Sequence, residues 1–206
     1  MKKIISTLLV ALFLISCSQS ENNIKSEISD YFEKNAKDPK SYEFVELKIA
    51  DTVTVEDCIK SSQENNAEFI LYCNTNIEDY KTKIIKKETD IIEIKNMGYT
   101  SASDKEKLIA DFNKSIESKK KQIDSLNVKI SETESESEKI KKVENKKDVV
   151  CFVYKHKYRL KNGFGALDLV ESYFLFDKNN KILNKSEEIL DIYSSANQEF
   201  RKNYLK

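Results

Sequence analysis

Hydrophobic positions recur along this chain with two different periods. Ile109, Phe112, Ile116, Lys119, Ile123, Leu126, Ile130, Thr133, Ser137 and Ile140 follow alternating steps of three and four. Upstream, Ile70, Cys73, Ile77, Tyr80, Ile84, Lys87, Ile91 and Ile94 do the same. Such spacing keeps one face of each helix apolar and predicts two long helices that bury each other. An antiparallel pairing sets Ile94 against Ile109, Ile91 against Phe112, Lys87 against Ile116 and Ile84 against Lys119. The same register carries on to Ile70 against Thr133, so one turn near residues 97–103 aligns every layer. Gly98 suits the end of the first helix, and Ser103-Asp104-Lys105-Glu106 has the spacing of a capping box for the second. Lys87 and Lys119 must snorkel along their stems to reach water. Arms of roughly 35–43 residues would extend about 50–65 Å. A second reading of residues 67–73 stays open: Phe69, Ile70, Leu71 and Tyr72 form a compact apolar run that suits a short strand, with the helix then starting near Asn76.

Outside this region the pattern is shorter. Ile24, Ile28, Tyr31, Phe32 and Ala36 recur at helical spacing, and Asp38-Pro39 stops that helix. Val45, Leu47 and Ile49 alternate with Glu46, Lys48 and Ala50 and continue to Val53 and Val55, which predicts a half-buried strand. After Lys147 the period is again two. Val150, Phe152, Tyr154, His156 and Tyr158 share one face; Val149, Cys151, Val153, Lys155 and Lys157 share the other. Leu169 to Phe176 reads as another strand, closed by a turn at Asp177-Lys178-Asn179-Asn180 and followed by a short Ile182-Leu183 segment. A last helix is expected from Ser186, with Glu187 and Glu188 in its first turn and Ile189, Ile192, Tyr193, Ala196, Phe200 and Tyr204 as its apolar stripe. The fold class is therefore α+β. A small antiparallel sheet with N- and C-terminal helices occupies 24–58 and 147–206, and a long antiparallel coiled-coil hairpin is inserted over 59–146.

The N-terminus changes where such a protein is expected to reside. Lys2-Lys3 precede an apolar run from Ile4 to Ile15, too short to span comfortably and ending in Leu14-Ile15-Ser16-Cys17. This tetrad resembles the lipobox of bacterial lipoprotein precursors. The resemblance implies a signal peptide over 1–16, diacylglycerol addition to the Cys17 sulfur with palmitate-type acyl chains, and cleavage before Cys17. Residues 17–23 would then be a lipidated tether, its six residues Ser18 to Asn23 reaching at most about 20 Å. The expected location is the exported side of a membrane in the bacterial cell envelope, with the bilayer as first partner.

Composition narrows the rest. Lysine and arginine number 35 against 35 aspartate and glutamate, and removal of Lys2 and Lys3 tips the balance slightly acidic. That excludes the basic excess typical of nucleic-acid binding. Three glycines and one proline favour long helices. Cys58, Cys73 and Cys151 remain once Cys17 is acylated; their number is odd and none has CxxC spacing. Buried thiols acting as small apolar residues are expected, with any disulfide pairing left open. No cofactor or metal site is expected.

Candidate chemistry is sparse. His156 is the one histidine and lacks HxxxH, HxE or GxSxG context, so a solvent-facing or hydrogen-bonded strand residue is the expectation and a hydrolase using it the alternative. Lys155 and Lys157, with Arg159 and Lys161 beyond, interleave with Tyr154 and Tyr158. Such a strip can hold anionic glycans or lipid headgroups, although lysines on a strand edge more often deter aggregation. Phe164 lies in Lys161-Asn162-Gly163-Phe164-Gly165-Ala166-Leu167, a binding loop or, more simply, a strand connection. Together with Asp38-Pro39-Lys40-Ser41-Tyr42-Glu43-Phe44, this stretch is similar to a pattern in small uncharacterised bacterial envelope proteins, which brings no activity with it. The function expected is non-catalytic: an anchored envelope protein that contacts another component through the hairpin or the sheet, or pairs with itself through the hairpin. The alternatives are a small ligand-binding domain using Tyr154, Tyr158 and Phe164, and the hydrolase.

Overall fold

The computed structural model describes residues 21–98 and 101–205. The expected signal peptide over 1–16, Cys17 and Tyr99 lie outside the described residues. The fold is α+β: the described residues form four helices and one antiparallel sheet of four strands. The chain divides into two compact units, residues 59–143 and the segments on either side of them in sequence.

The sheet unit begins with helix α1, residues 21–35. Residues 21–23, expected in the tether, are already helical. Ile24, Ile28 and Phe32 are spaced by four, so they fall on one face, and all three are buried. Asp38-Pro39 ends the helix as expected, and a short 3-10 turn, Pro39–Ser41, leads into the sheet. Its strands are β1 (Glu43–Thr54), β2 (Val149–Lys161), β3 (Leu167–Phe176) and β4 (Ile182–Ser186), in that spatial order. Cross-strand partners share a face, which aligns Phe152 with Phe176, Tyr154 with Phe174 and His156 with Leu47. That face carries one core cluster, where Ile24, Ile28 and Phe32 of α1 meet Tyr158, Phe174 and Phe176. Each such side chain contributes about 1.5–3 kcal/mol when removed from water.

Strand β1 departs from the expected alternation. Register shifts fall between Phe44 and Glu46 and between Ile49 and Asp51, so Val45 and Ala50 are bulged residues that reset which side chains face the helix. As an edge strand it reaches the core cluster with Leu47, while Val45 and Ile49 stay exposed. On the sheet's other face lies α4 (Ile189–Tyr204), burying Ile192, Ala196 and Phe200 beside β2, β3 and β4. It starts three residues later than expected. Ser186 still pairs with Tyr173 in β4, and its hydroxyl donates to Asp191, the acidic residue of the helix's first turn.

The second unit consists of α2 (Val55–Asn96), whose first residues belong to the sheet unit, and α3 (Ala102–Lys141). At 42 and 40 residues they match the expected arms. Residues 67–73 lie inside α2, so the alternative strand does not form. Every seam position is buried or half-buried, Cys73, Ile77, Ile91, Ile94, Ile116 and Ile140 most fully. Asn66 Nδ2 donates to Ser137 Oγ at 3.0 Å, a pair that falls on the register set by Ile84 and Lys119. The seam lysines do not rest against isoleucine alone: Lys87 Nζ lies 4.6 Å from the Phe112 ring centroid and Lys119 Nζ 5.1 Å from that of Tyr80. The cap of α3 is Ser101, two residues earlier than expected; its hydroxyl accepts from Asp104 N–H at 3.2 Å and donates to the Asp104 carboxylate at 2.6 Å. Thr54 and Asp57 exchange the same kind of bonds at the start of α2.

Candidate functional site

His156 sits on β2 between its neighbours Leu47 of β1 and Ser172 of β3, and it is wholly buried. Its Nδ1 lies 2.7 Å from the Glu46 carbonyl, which can only accept, so Nδ1 carries the hydrogen. Nε2 therefore accepts from the Tyr42 hydroxyl at 2.9 Å. The ring is neutral and ringed by Phe44, Tyr158, Phe174 and Tyr42 at centroid distances of 5.0–6.0 Å. Burial pushes its pKa below the ordinary imidazole value, opposed by the bond to Glu46. Burial, and after it Tyr158, pushes the Tyr42 hydroxyl up to about 12. Neither ring nitrogen meets a carboxylate or a nucleophile. A groove of about 640 Å³ beside Glu33, Asp38 and Lys40 is lined by Tyr42 and not by His156.

The sequence-expected binding residues do not come together. Tyr158 is 3% exposed beneath α1, and Tyr154 is half-buried on the same face, edge-on to Phe176 at 5.4 Å. Lys155 and Lys157 point to the opposite face, because neighbouring strand residues alternate. There they are not an open cationic strip. Lys155 meets Glu171 at 2.6 Å, Lys157 lies 3.6 Å from Glu46 and 3.7 Å from Glu171, and Arg159 lies 3.5 Å from Glu43. The bond to Glu171 raises the pKa of Lys155 and lowers that of Glu171, while Glu46 is lowered first by Lys48. An anionic ligand must displace these carboxylates to reach the lysines.

Phe164 stands apart from both faces, 99% exposed in the loop between β2 and β3. The loop is a strand connection organised by Asn162, whose side-chain oxygen accepts from Phe164 N–H at 2.9 Å and Ala166 N–H at 3.1 Å. Gly165, at φ +85°, supplies the left-handed residue that closes it.

The chain matches no family model, no curated protein and no solved structure. Among the described residues no group of three metal-ligating side chains occurs, and no helix is long and apolar enough to cross a membrane. Cys58, Cys73 and Cys151 are buried and unpaired with one another. Burial pushes the Cys58 and Cys151 thiols up to about 12, helped by Asp57 for the first and by Cys58 for the second. Thiols held so far above neutral pH are poor nucleophiles. Tyr42, Glu43, Glu46 and Glu171 were not legible as site partners in the sequence. Their roles depend on cross-strand register, for which the chain carries no local signal.

Proposed function

We propose that this chain is a membrane-anchored lipoprotein of the bacterial cell envelope, acylated at Cys17, that binds or scaffolds another envelope component and carries out no chemistry itself. The observation behind the anchor is the sequence Leu14-Ile15-Ser16-Cys17 placed after Lys2-Lys3 and an apolar run. One acyl chain holds a protein only marginally, and each buried methylene adds about 0.8 kcal/mol, so a diacylglycerol-linked cysteine is a stable attachment. Binding is favoured over catalysis because the one histidine spends both ring nitrogens on Tyr42 and Glu46, with no acid or nucleophile beside it. The two thiols of the sheet unit are equally withdrawn. What the chain does offer is surface: a pair of long helices whose inner faces bury each other, and an exposed phenylalanine at Phe164. Helix faces of this kind take protein partners by lateral packing.

The test is metabolic labelling with radioactive palmitate in a bacterial host. The wild-type chain is expected to take up label and shorten, and Cys17→Ser to remain unlabelled at precursor length. Equal labelling of both chains, or none of either, would discard the anchor. Photo-crosslinking from Phe164 and from the turn after Asn96 then identifies which surface meets the envelope component.

A further inference from the structure

Helix α2 carries a second apolar stripe outside its seam. Leu71, Ile85 and Ile92 are spaced by sevens, with Glu78 filling the series, and are 68%, 63% and 60% exposed. Thr75, Thr82 and Thr89 alternate with them at the steps of four and three that make a coiled-coil face. Each threonine hydroxyl is turned onto the backbone: Thr75 donates to the Leu71 carbonyl at 2.9 Å, Thr82 to that of Glu78 at 2.9 Å and Thr89 to that of Ile85 at 3.0 Å. The threonine hydroxyls are therefore satisfied inside the helix and strand no donor when covered, while Glu78, the one charged member of the stripe, is met by Lys81 at 2.7 Å.

We propose that a second copy of this chain covers the stripe, the two α2 helices lying antiparallel about a two-fold axis. The charges beside the stripe select this partner and this direction. Asp79 and Lys86 flank one side, Lys81 and Glu88 the other, all exposed. When Ile85 sits over Thr82 of the second copy, Asp79 meets Lys86 of that copy and Lys81 meets its Glu88, each twice by symmetry. An antiparallel register shifted by seven residues sets Asp79 against Asp79 and Lys81 against Lys81. A parallel pair sets Lys81 against Lys86 and Glu88 against Glu93. Only the first arrangement is free of like-charge contacts at these positions. Asp79 now pairs with Lys83 at 2.6 Å along the same helix, an exposed pair that exchanges readily, whereas Lys81 has three donors and keeps Glu78 at 2.7 Å while it meets Glu88 of the second copy. The paired stretch runs from Leu71, level with Asn96 of the second copy, and lies wholly within residues 59–143. The inference deepens the reading of the hairpin as an interaction arm and rests on it, but it does not depend on Cys17.

The experiment places a benzophenone amino acid at position 85 of the full-length chain and irradiates the cells that express it. The expected product has twice the chain's mass and joins residue 85 to the peptide around Thr82 of a second copy. Lys81→Glu is expected to lower its yield about tenfold, since it turns two attractions into two repulsions. Adding Glu88→Lys to that variant is expected to restore the yield, while helix content stays constant throughout. No double-mass product, adducts with other proteins alone, or a yield that Lys81→Glu leaves unchanged or raises would each overturn the proposal. Palmitate labelling reads the anchor separately, so loss of one result leaves the other standing.

Discussion

His156 joins two strands and the turn that precedes them, and its protonation state makes that joint sensitive to pH. Its folded pKa lies below the ordinary 6.5 because burial disfavours the cation. Above 6.5 the ring is neutral in both folded and unfolded chains, and its contribution is fully present. As pH falls below 6.5 the unfolded chain takes up a proton that the folded one refuses, so stability declines until pH passes the folded pKa. The slope is at most about 1.4 kcal/mol per pH unit, the limit for one proton. Urea unfolding between about pH 7.5 and pH 5.5 is expected to show this decline in the wild type and a flatter profile in His156→Phe, which is less stable at neutral pH. Equal slopes would remove His156 as the cause, since Glu46, Glu138 and Glu171 all have lowered pKa values and titrate below this window. That the histidine lies on a strand was legible from its place in a period-two run, but whether it faced solvent or was buried in hydrogen bonds was not. Nor were its partners, because Tyr42 and the Glu46 carbonyl reach it through the pairing of β1 with β2. The lysines teach the same lesson: Lys155 and Lys157 look like a cationic strip until register brings Glu46 and Glu171 beside them.

At the scale of elements, the two long helices were the most legible part, since their seam repeats and each turn restates the last. The extended alternative at 67–73 fails because Cys73 and Ile77 continue the helical face that Ile59, Ser62 and Asn66 begin. Where an element's end depended on a distant strand, local pattern misled. Ser186 belongs to β4 because Tyr173 pairs with it, and the alternation of β1 is broken by bulges opposite β2. The seam also contains a defect that can be tested. Ser62 Oγ is buried without a hydrogen-bond partner among the described residues. A buried unsatisfied hydroxyl costs about 1–3 kcal/mol, and alanine is also the better helix former. Ser62→Ala is therefore expected to raise stability by about 1 kcal/mol, read as a higher urea midpoint at unchanged slope. A loss of that size would show instead that the hydroxyl has a partner in solution. Ile116→Ala, on the opposite arm, is expected to cost about 2–4 kcal/mol and supplies the contrasting control.

For the whole molecule the question is whether the sheet unit stands without the helical one. The core cluster under α1 comprises Ile24, Ile28, Phe32, Tyr158, Phe174 and Phe176, and α4 buries Ile192, Ala196 and Phe200 on the other face, none of them from residues 59–143. The first turn of α2 is tied back within the sheet unit, where Val55 N–H donates to the Asp148 carbonyl and Glu56 N–H to that of Lys146, both at 2.9 Å. The two chain ends left by excising residues 60–142 are thus already held close to each other, and a short glycine-rich link closes them at small entropic cost. Such a chain is expected to unfold cooperatively and to keep the pH-dependent decline that His156 imposes. It is expected to behave as a monomer in solution where the full-length chain pairs, and to lose any crosslink to an envelope partner made through the hairpin. The deletion must spare residues 144–148, because removing Lys146 and Asp148 would strand two N–H groups at the start of α2. Retention of the partner crosslink after excision would move the binding surface to the sheet unit, with Phe164 the first residue to substitute. A chain that fails to unfold cooperatively would show that the sheet unit takes stability from the helices, and the two would then have to be treated as one folding body.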